Sequence, residues 1–271
     1  MERFFYESRD SYVRAQLERT ETAWFAGRRL PHHIHYISEL LRCLINLNWP
    51  LPNDARIVCM GVRRGIELIA WELKGFRNVV GVELSTRHDY RNIITADFSR
   101  LENVFPDQSC DVIYACHSFE HTYDPKATAQ EWKRILKPNG AIWISLPTTL
   151  GEKLNPSKVH PVVISQVADF EHLFDPLRVM WTTTEGFQRG SFNINVVLLD
   201  PDKRGLAFSR TMRRDMRRRM LKGVRIARMV RRFSKVLRRL NGIDHDYEIE
   251  ICLWFDRVIR SRFRRGDTSP N

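Results

Sequence analysis

The chain has 271 residues, of which 43% are hydrophobic, so it is long enough and apolar enough for the core of one large domain. The first residues are too charged for a signal peptide, and no apolar run reaches the roughly 20 residues that a membrane-spanning helix needs. The five cysteines form no CxxC pair, which favours reduced, mostly buried thiols. We therefore expect a cytoplasmic protein that is peripheral at a membrane at most.

The net charge of +12 is concentrated in one segment. Residues 210–240 hold 14 arginine and lysine residues and a single acid, Asp215, so this segment alone carries +13. The 209 residues before it are neutral overall. Any partner that is attracted by positive charge is therefore expected at residues 210–240.

The first half of the chain predicts helices followed by alternating strands and helices. Residues 1–30 have a polar helical pattern, and apolar residues at helical spacing between Pro31 and Pro50 predict an amphipathic helix. From Arg56 onwards, strands and helices alternate regularly. Such alternation predicts an α/β fold with a doubly wound, Rossmann-like, mostly parallel sheet. The predicted strands are 57–60, 78–83, 93–97, 111–117 and 141–146.

The second half predicts a hairpin and then a basic appendage. A loop from Thr148 to His160 precedes a helix through Val163, Val167 and Phe170. Two strands, 179–184 and 192–199, follow as an antiparallel pair whose connecting loop opens at Glu185-Gly186. One long basic helix over 206–240 and a further helix over 247–262 come next. The predicted domains are a helical cap (1–52), a cofactor-binding domain (53–202), a basic helical appendage (203–265) and a disordered tail (266–271).

Three consecutive strands end in groups that suit an adenosyl ligand. The first strand enters a turn with Gly61 and Gly65, which lets N–H groups at a helix N-terminus approach a polar ligand closely. Glu83 ends the second strand, where a carboxylate can accept hydrogen bonds from ribose hydroxyls. Asp97 ends the third strand, where it can accept from an exocyclic adenine amine. Parallel strands would place these groups along one edge of the sheet.

The next segment carries a resemblance to a known family. Asp111-Val-Ile-Tyr-Ala-Cys-His-Ser-Phe-Glu-His121 is an apolar strand followed by Phe-Glu-His, and Arg134-Ile-Leu-Lys-Pro-Asn-Gly140 comes at the expected distance. Together with the glycine turn and the two acids, this region resembles class I S-adenosylmethionine-dependent methyltransferases with a small-molecule-type domain, over roughly a third of the chain. The resemblance implies S-adenosylmethionine as cofactor, a terminal antiparallel strand pair and an N-terminal helix that caps the cofactor.

The first glycine motif diverges from the pattern of that family. Cys59 stands where the family has an acid that helps to hold the ammonium end of the cofactor, and Arg63 replaces the middle glycine. An arginine here either binds the methionine carboxylate as a bidentate fork or blocks the approach. The resemblance implies these cofactor-binding residues: Gly61, Arg63, Gly65, Glu83, Leu84, Asp97, Phe98 and His117.

Three histidines are candidates for the base that removes a proton from a hydroxyl acceptor during in-line methyl transfer. His117 and His121 follow the fourth strand, next to the expected position of the methyl group. His160 lies in the loop after the fifth strand, which is often a substrate wall in the family. The alternatives are that His121 only orients its loop and that His160 is a surface residue.

The sequence argues against two other kinds of site. His32, His33 and His35 lack matched acids or cysteines, so we expect the start of a surface helix and no metal site. Ala115-Cys116-His117-Ser118 stands where enzymes that methylate base amino groups have Asn-Pro-Pro-Tyr. The sequence therefore disfavours base methylation.

The basic segment leaves three interpretations open. It could lie on an anionic membrane surface, grip RNA phosphates, or pack on its own domain with a solvated basic face. The leading predicted function is O-methylation of a glycan, a lipid-linked molecule or another small acceptor. The alternatives are an RNA methyltransferase anchored by the basic helix and a catalytically silent scaffold or RNA-bound subunit. The apolar stripe consists of Met212, Met216, Met220, Val224, Ala227, Val230, Phe233 and Leu237.

Overall fold

The computed structural model describes residues 6, 8–22, 30–88, 90–148, 162, 164, 166–188, 191–203, 208–241 and 251. The strands are β1 (Ile57–Met60), β2 (Val79–Glu83), β3 (Ile93–Thr95), β4 (Cys110–Cys116), β5 (Leu136–Thr148), β6 (Arg178–Gln188) and β7 (Ser191–Leu199). The α-helices are α1 (Arg9–Thr22), α2 (Leu30–Asn46), α3 (Ile66–Leu73), α4 (Pro125–Ile135), α5 (Val167–Phe174), α6 (Arg210–Leu221) and α7 (Val224–Asn241).

The strands form one seven-stranded sheet in the order β3-β2-β1-β4-β5-β7-β6. The first five strands are parallel, and β7 pairs antiparallel with both β5 and β6. The sequence order reverses between β1 and β4, and open α/β sheets bind ligands at such a switch point, outside the carboxyl ends of the strands. The predicted fold class and the terminal antiparallel pair are confirmed.

Each face of the sheet buries its own hydrophobic core. On one face, α2, α3, α6 and α7 cover alternate strand residues such as Cys59 and Tyr114. On the other face, α4 and α5 cover the intervening residues, among them Val58 and Ile113. Helix α4 begins at Pro125, where Asp124 caps it by accepting from the N–H groups of Lys126 and Ala127, and proline suits the first helical position.

Four predicted element boundaries were wrong. Strand β5 begins at Leu136 and not at residue 141 as predicted, and residues 137–140 form an irregularity of its ladder with β4. Strands β6 and β7 continue past Glu185, and Gly186 pairs with Phe192, because ladder hydrogen bonding extends beyond the alternating apolar pattern. Helix α5 begins only at Val167. The predicted helix over 247–262, apart from Ile251, and the predicted tail lie outside the described residues.

The basic segment is two helices, so the prediction of one helix over 206–240 was wrong. The break lies at Lys222-Gly223, where Gly223 has φ +80° and a Cβ would lie 2.8 Å from a methyl carbon of Ile34. Both helices pack on α2, and Met216, Ala227 and Val230 are buried against the domain. The apolar stripe is therefore used, in large part, for packing on the chain's own domain.

A buried lysine at the end of α3 links α2 to α6. The Lys74 ammonium, at the end of α3, donates to the Ser38 hydroxyl on α2 (2.7 Å) and to the Met220 carbonyl on α6 (2.5 Å). Desolvation by burial lowers the pKa of Lys74 to about 8. Within the described residues, no helix is both long and apolar enough to cross a bilayer.

Candidate active site

The glycine turn after β1 has a conformation that requires both of its glycines. Gly61 has φ +69° and donates its N–H to the Val82 carbonyl (2.8 Å), and a Cβ there would lie 2.7 Å from the Cβ of Ser118. Gly65 has φ +81°, and its Cβ would lie 2.6 Å from that of Tyr90. Side chains at these two positions would close the approach between the turn and the ends of the neighbouring strands.

Glu83 holds the turn against the end of β2. One carboxylate oxygen accepts from the backbone N–H of Arg63 (2.6 Å), and the other accepts from those of Leu84 (2.9 Å) and Ser85 (3.3 Å). Arg63 has φ +42°, a left-handed conformation that suits the glycine found there in the resembling family. The Glu83 carboxylate therefore helps to hold a non-glycine residue in a strained conformation.

Asp97 follows β3 and is already engaged by two partners. One oxygen accepts from the backbone N–H (2.8 Å) and the hydroxyl (2.6 Å) of Ser99. The other oxygen forms an ion pair with Arg9 of α1. Phe98 is half-buried next to the turn, because a Cβ at Gly61 would lie 3.8 Å from one of its ring carbons. An adenine amine at Asp97 would have to displace or share the Arg9 guanidinium.

Helix α1 spans the carboxyl edge of the sheet, from the end of β3 to the segment after β4. Beyond the ion pair of Arg9, the Tyr12 hydroxyl donates to the His121 carbonyl, and the Tyr12 ring lies 5.5 Å from that of Tyr123. Burial, and after it the nearby Asp97 carboxylate, raise the pKa of Tyr12, so its hydroxyl stays protonated and donates. Helix α1 therefore covers the edge at which the predicted site residues meet.

A buried carboxylate lies between two of the candidate histidines. Glu120 is 1% exposed, and one of its oxygens lies 3.5 Å from Nδ1 of His117 and 3.8 Å from Nε2 of His121. His117 has φ +55° and donates its backbone N–H to the Ser145 carbonyl (2.7 Å). Such a carboxylate can fix the orientation of a neighbouring imidazole and stabilise its protonated form. Its position in the Phe-Glu-His segment could have pointed to this role.

A second buried polar group lies beneath the glycine turn. Glu67, in the first turn of α3, is 8% exposed, and one of its oxygens lies 3.6 Å from Nε2 of His33. Nδ1 of His33 lies 3.0 Å from the Tyr114 hydroxyl. His33 is fully buried, so the prediction that it belongs to a surface helix start was wrong, whereas His32 and His35 are exposed. Burial raises the pKa of Glu67 to about 8.

The structure brings nearly all the predicted site residues to one edge of the sheet. The exception is His160, which lies outside the described residues, so its proposed role stays a prediction. In the part of the chain that the structure describes, no group of three or more histidine, cysteine or acidic residues could hold a metal ion. The residues at this edge are Gly61, Arg63, Gly65, Glu83, Leu84, Asp97, Phe98, His117 and His121.

Comparisons with known proteins identify the domain to which this edge belongs. A family model described as a methyltransferase domain matches residues 58–144, which run from β1 into β5 and include the turn, Glu83, Asp97 and the Glu120 cluster. No curated protein sequence matches significantly. Matches to solved structures share the fold at low sequence identity.

One solved structure is a Burkholderia thailandensis 1,6-didemethyltoxoflavin-N1-methyltransferase with bound 1,6-didemethyltoxoflavin and S-adenosylhomocysteine. It is 13% identical over 72% of this chain and 91% of that chain, with a TM-score of 0.56. A complex of the Haloferax volcanii Trm112 methyltransferase activator with a putative methyltransferase is 17% identical over 72% and 99% of the two chains, with a TM-score of 0.47. The trans-methyltransferase CalH in complex with SAH is 14% identical (TM-score 0.46), and the match spans 59% of this chain and about half (54%) of CalH.

Proposed function

We propose that this chain, which carries a class I S-adenosylmethionine-dependent methyltransferase domain, transfers a methyl group to a hydroxyl of a glycan, a lipid-linked molecule or another small acceptor. The observation that supports this most is the Glu120 carboxylate between His117 and His121. This cluster adjoins the glycine turn, because Ser118 contacts Gly61. A hydroxyl acceptor needs a base near the methyl group, and this cluster supplies one.

The carboxylates at the edge fit the adenosine part of the cofactor. A carboxylate can accept about four hydrogen bonds, and Glu83 uses three of these positions for backbone N–H groups, which leaves capacity for a ribose hydroxyl. Asp97 can accept from the adenine amine once Arg9 moves or shares it. When bound, the cofactor supplies an electrophilic methyl group on a sulfonium.

His117 is the base that the geometry favours. Its Nδ1 faces Glu120, so Nε2, at the far side of the ring, is the nitrogen that takes a proton from the acceptor hydroxyl. Glu120 then stabilises the imidazolium that forms. The His117 side chain is also more exposed (20%) than that of His121 (12%), whose backbone carbonyl is engaged by Tyr12. His121 is therefore assigned a positioning role.

His117→Ala is expected to lower kcat by about 100-fold or more, because the acceptor loses its base, while S-adenosylhomocysteine binding stays nearly the same. The assay measures transfer from labelled S-adenosylmethionine to a panel of sugar and polar-lipid hydroxyl acceptors, together with calorimetric titration of S-adenosylhomocysteine. His172→Ala, which removes a histidine from the last turn of α5, is the control and should retain wild-type activity. If the wild-type protein fails to bind millimolar S-adenosylhomocysteine, the proposed activity is wrong.

We propose that the outer surface of α6 and α7 lies on an anionic membrane. This contact would bring the active site close to acceptors at the membrane surface. On α7, Arg225, Arg232 and Val236 are exposed and follow at seven- and four-residue spacing, so they share one face, opposite the buried Val230. The exposed cations of the two helices are Arg210, Arg214, Arg217, Arg218, Lys222, Arg225, Arg228, Arg231 and Arg232.

Exposed apolar side chains among these cations favour lipid over RNA. Of the four large hydrophobic side chains that are exposed in the described part of the chain, three belong to these helices: Leu221 (71%), Phe233 (56%) and Val236 (51%). Aliphatic groups beside arginines suit the boundary between anionic headgroups and acyl chains. Single-stranded RNA instead favours several aromatic side chains on which bases can stack, and Phe233 is the one large aromatic among the three.

Arg225→Glu/Arg232→Glu is expected to reduce binding to vesicles of phosphatidylcholine with 30% phosphatidylserine by about tenfold or more, because each charge near the surface contributes about 1 kcal/mol. Flotation measures the bound fraction, and Lys126→Glu/Lys133→Glu on α4 is a control of equal charge. Wild-type binding to a structured RNA at similar salt, without binding to these vesicles, would favour the RNA interpretation. Binding to neither would overturn the membrane proposal.

A further inference from the structure

We propose that Glu67 binds the ammonium group of the cofactor's amino-acid end, in place of the strand acid that Cys59 replaces. This inference rests on the proposed function and deepens it by assigning a residue to the cationic end of the ligand. Glu67 lies in the first turn of α3, two residues after Gly65, so it adjoins the turn that the cofactor must approach.

The Glu67 carboxyl group is buried without full hydrogen-bond satisfaction from the described chain. Oε2 is buried and accepts no hydrogen bond there, and Oε1 lies 3.6 Å from Nε2 of His33, beyond direct bonding. A buried carboxylate in this state is destabilised unless a cation or a donor reaches it. A primary ammonium brings a positive charge and three N–H donors, which satisfies both needs.

The position of Glu67 also matches the place of the missing acid. Cys59 is fully buried, and burial, followed by the neighbouring Glu67 carboxylate, raises the pKa of its thiol. Glu67 is therefore close to the strand position that carries an acid in the resembling family. On this interpretation, the first turn of α3, directly after the glycine turn, carries the carboxylate in place of β1.

Cofactor binding should then release a proton. Burial raises the pKa of Glu67 to about 8, so in most molecules its carboxyl group is protonated at neutral pH. An adjacent ammonium would favour the ionised form and so displace this proton. A hydrogen bond from the backbone N–H of Glu67 itself opposes the effect of burial on this pKa, the nearby Glu83 adds to it, and Arg63 acts against it. The titratable and charged groups that face Glu67 are His33 on α2, Cys59 on β1, Tyr114 on β4, Glu83 on β2 and Arg63 in the turn.

The test compares S-adenosylhomocysteine with 5′-methylthioadenosine, which lacks the amino-acid end. Glu67→Gln should weaken S-adenosylhomocysteine binding by about tenfold or more and leave 5′-methylthioadenosine binding within about twofold of wild type. At pH 7, calorimetry in buffers of different ionisation enthalpy should show up to about one proton released per S-adenosylhomocysteine bound to wild type, and none for the variant. The melting temperature should change little, since glutamine imitates the protonated carboxyl group.

The outcomes separate this inference from the proposed function. Glu102→Gln, an exposed change in a loop, is the control and should match wild type for both ligands. If wild type binds both ligands but Glu67→Gln weakens neither, or weakens both equally, the role of Glu67 is wrong and the methyltransferase proposal stands. If wild type binds neither ligand, the proposed function itself is wrong.

Discussion

Replacing Glu83 with alanine is expected to weaken S-adenosylhomocysteine binding by at least about tenfold, the effect of losing one charge-assisted hydrogen bond. The carboxylate accepts from the N–H groups of Arg63, Leu84 and Ser85, and so it joins the glycine turn to the end of β2. Alanine removes the proposed acceptor of a ribose hydroxyl and also frees the turn that must surround the cofactor. Calorimetric titration of wild type and variant in the same buffer measures the change.

Glu83→Ala should also lower the free energy of unfolding. The control variant must therefore lose a similar amount of stability. Three lost backbone hydrogen bonds correspond to about 2–3 kcal/mol of unfolding free energy. Asp111 lies at the opposite edge of the sheet, where its Oδ2 accepts from the Arg56 N–H (2.8 Å) and from the Lys137 ammonium (2.8 Å). Asp111→Ala is expected to lose comparable stability and keep wild-type affinity. Equal affinity losses in both variants would contradict a direct role of Glu83.

The sheet could be predicted because its strands carry strong local signals. The apolar runs at 57–60 and 141–146 are buried on both sides, as a central parallel strand requires, and each is bounded by turn residues. Right-handed crossovers then restrict how these strands can be connected, and the strand order itself comes from the structure. The ends of β6 and β7 could not be predicted from the pattern, because cross-strand hydrogen bonding continues through Gly186, a residue that ordinarily indicates a turn.

Candidate site residues could be predicted where they stand at a strand end or in the segment that directly follows one. Glu83 and Asp97 do so, and the alternation places them at the carboxyl edge. Arg9 and Glu67 do not, because their approach to that edge depends on how α1 and α3 pack, which no local pattern encodes. His33 looked like a surface residue among its polar neighbours, and only the packing of α2 on the sheet shows that it is buried.

In the basic segment, packing against the domain divides a stretch that the periodicity of its apolar residues predicts as one helix. Its apolar residues recur at helical spacing through Lys222 and Gly223, so periodicity alone predicts one helix. The helix breaks at this point, where Gly223 lies against Ile34 and has a positive φ. Breaking the helix there allows Met216 and Val230 both to be buried.

The stability that Lys74 contributes is expected to rise with pH, by about 2 kcal/mol between pH 7 and pH 9.5. The folded pKa of Lys74, about 8, lies below the ordinary value of 10.5 because burial disfavours the charged form. Below the folded pKa, both states carry the charge and the folded state bears the full penalty. Above it, the folded protein releases the proton while the unfolded chain still binds one, so the folded state gains stability until the unfolded pKa is reached.

Lys74→Met isolates this effect, since methionine fills similar space and does not titrate. The difference in unfolding free energy between wild type and variant, measured by urea denaturation across this pH range, should shift in favour of wild type as pH rises. Lys126→Met removes an exposed lysine from α4 and should show no such shift. A difference that stays constant with pH would mean that the ammonium is solvated and that α6 is not held through it.

The position of Lys74 makes this measurement informative about the arginine surface as well. Its bond to the Met220 carbonyl fixes the end of α6 just before the break at Gly223, so the direction in which α7 leaves depends on the same contact. Arg219 adds a second attachment, because its guanidinium stacks on Phe76 at 4.6 Å and bonds to the Gly75 carbonyl. If the pH shift is observed and Lys74→Met also weakens vesicle binding, the exposed arginines act as a surface oriented by the α/β domain. If vesicle binding is unchanged, the two helices bind lipid independently of that orientation.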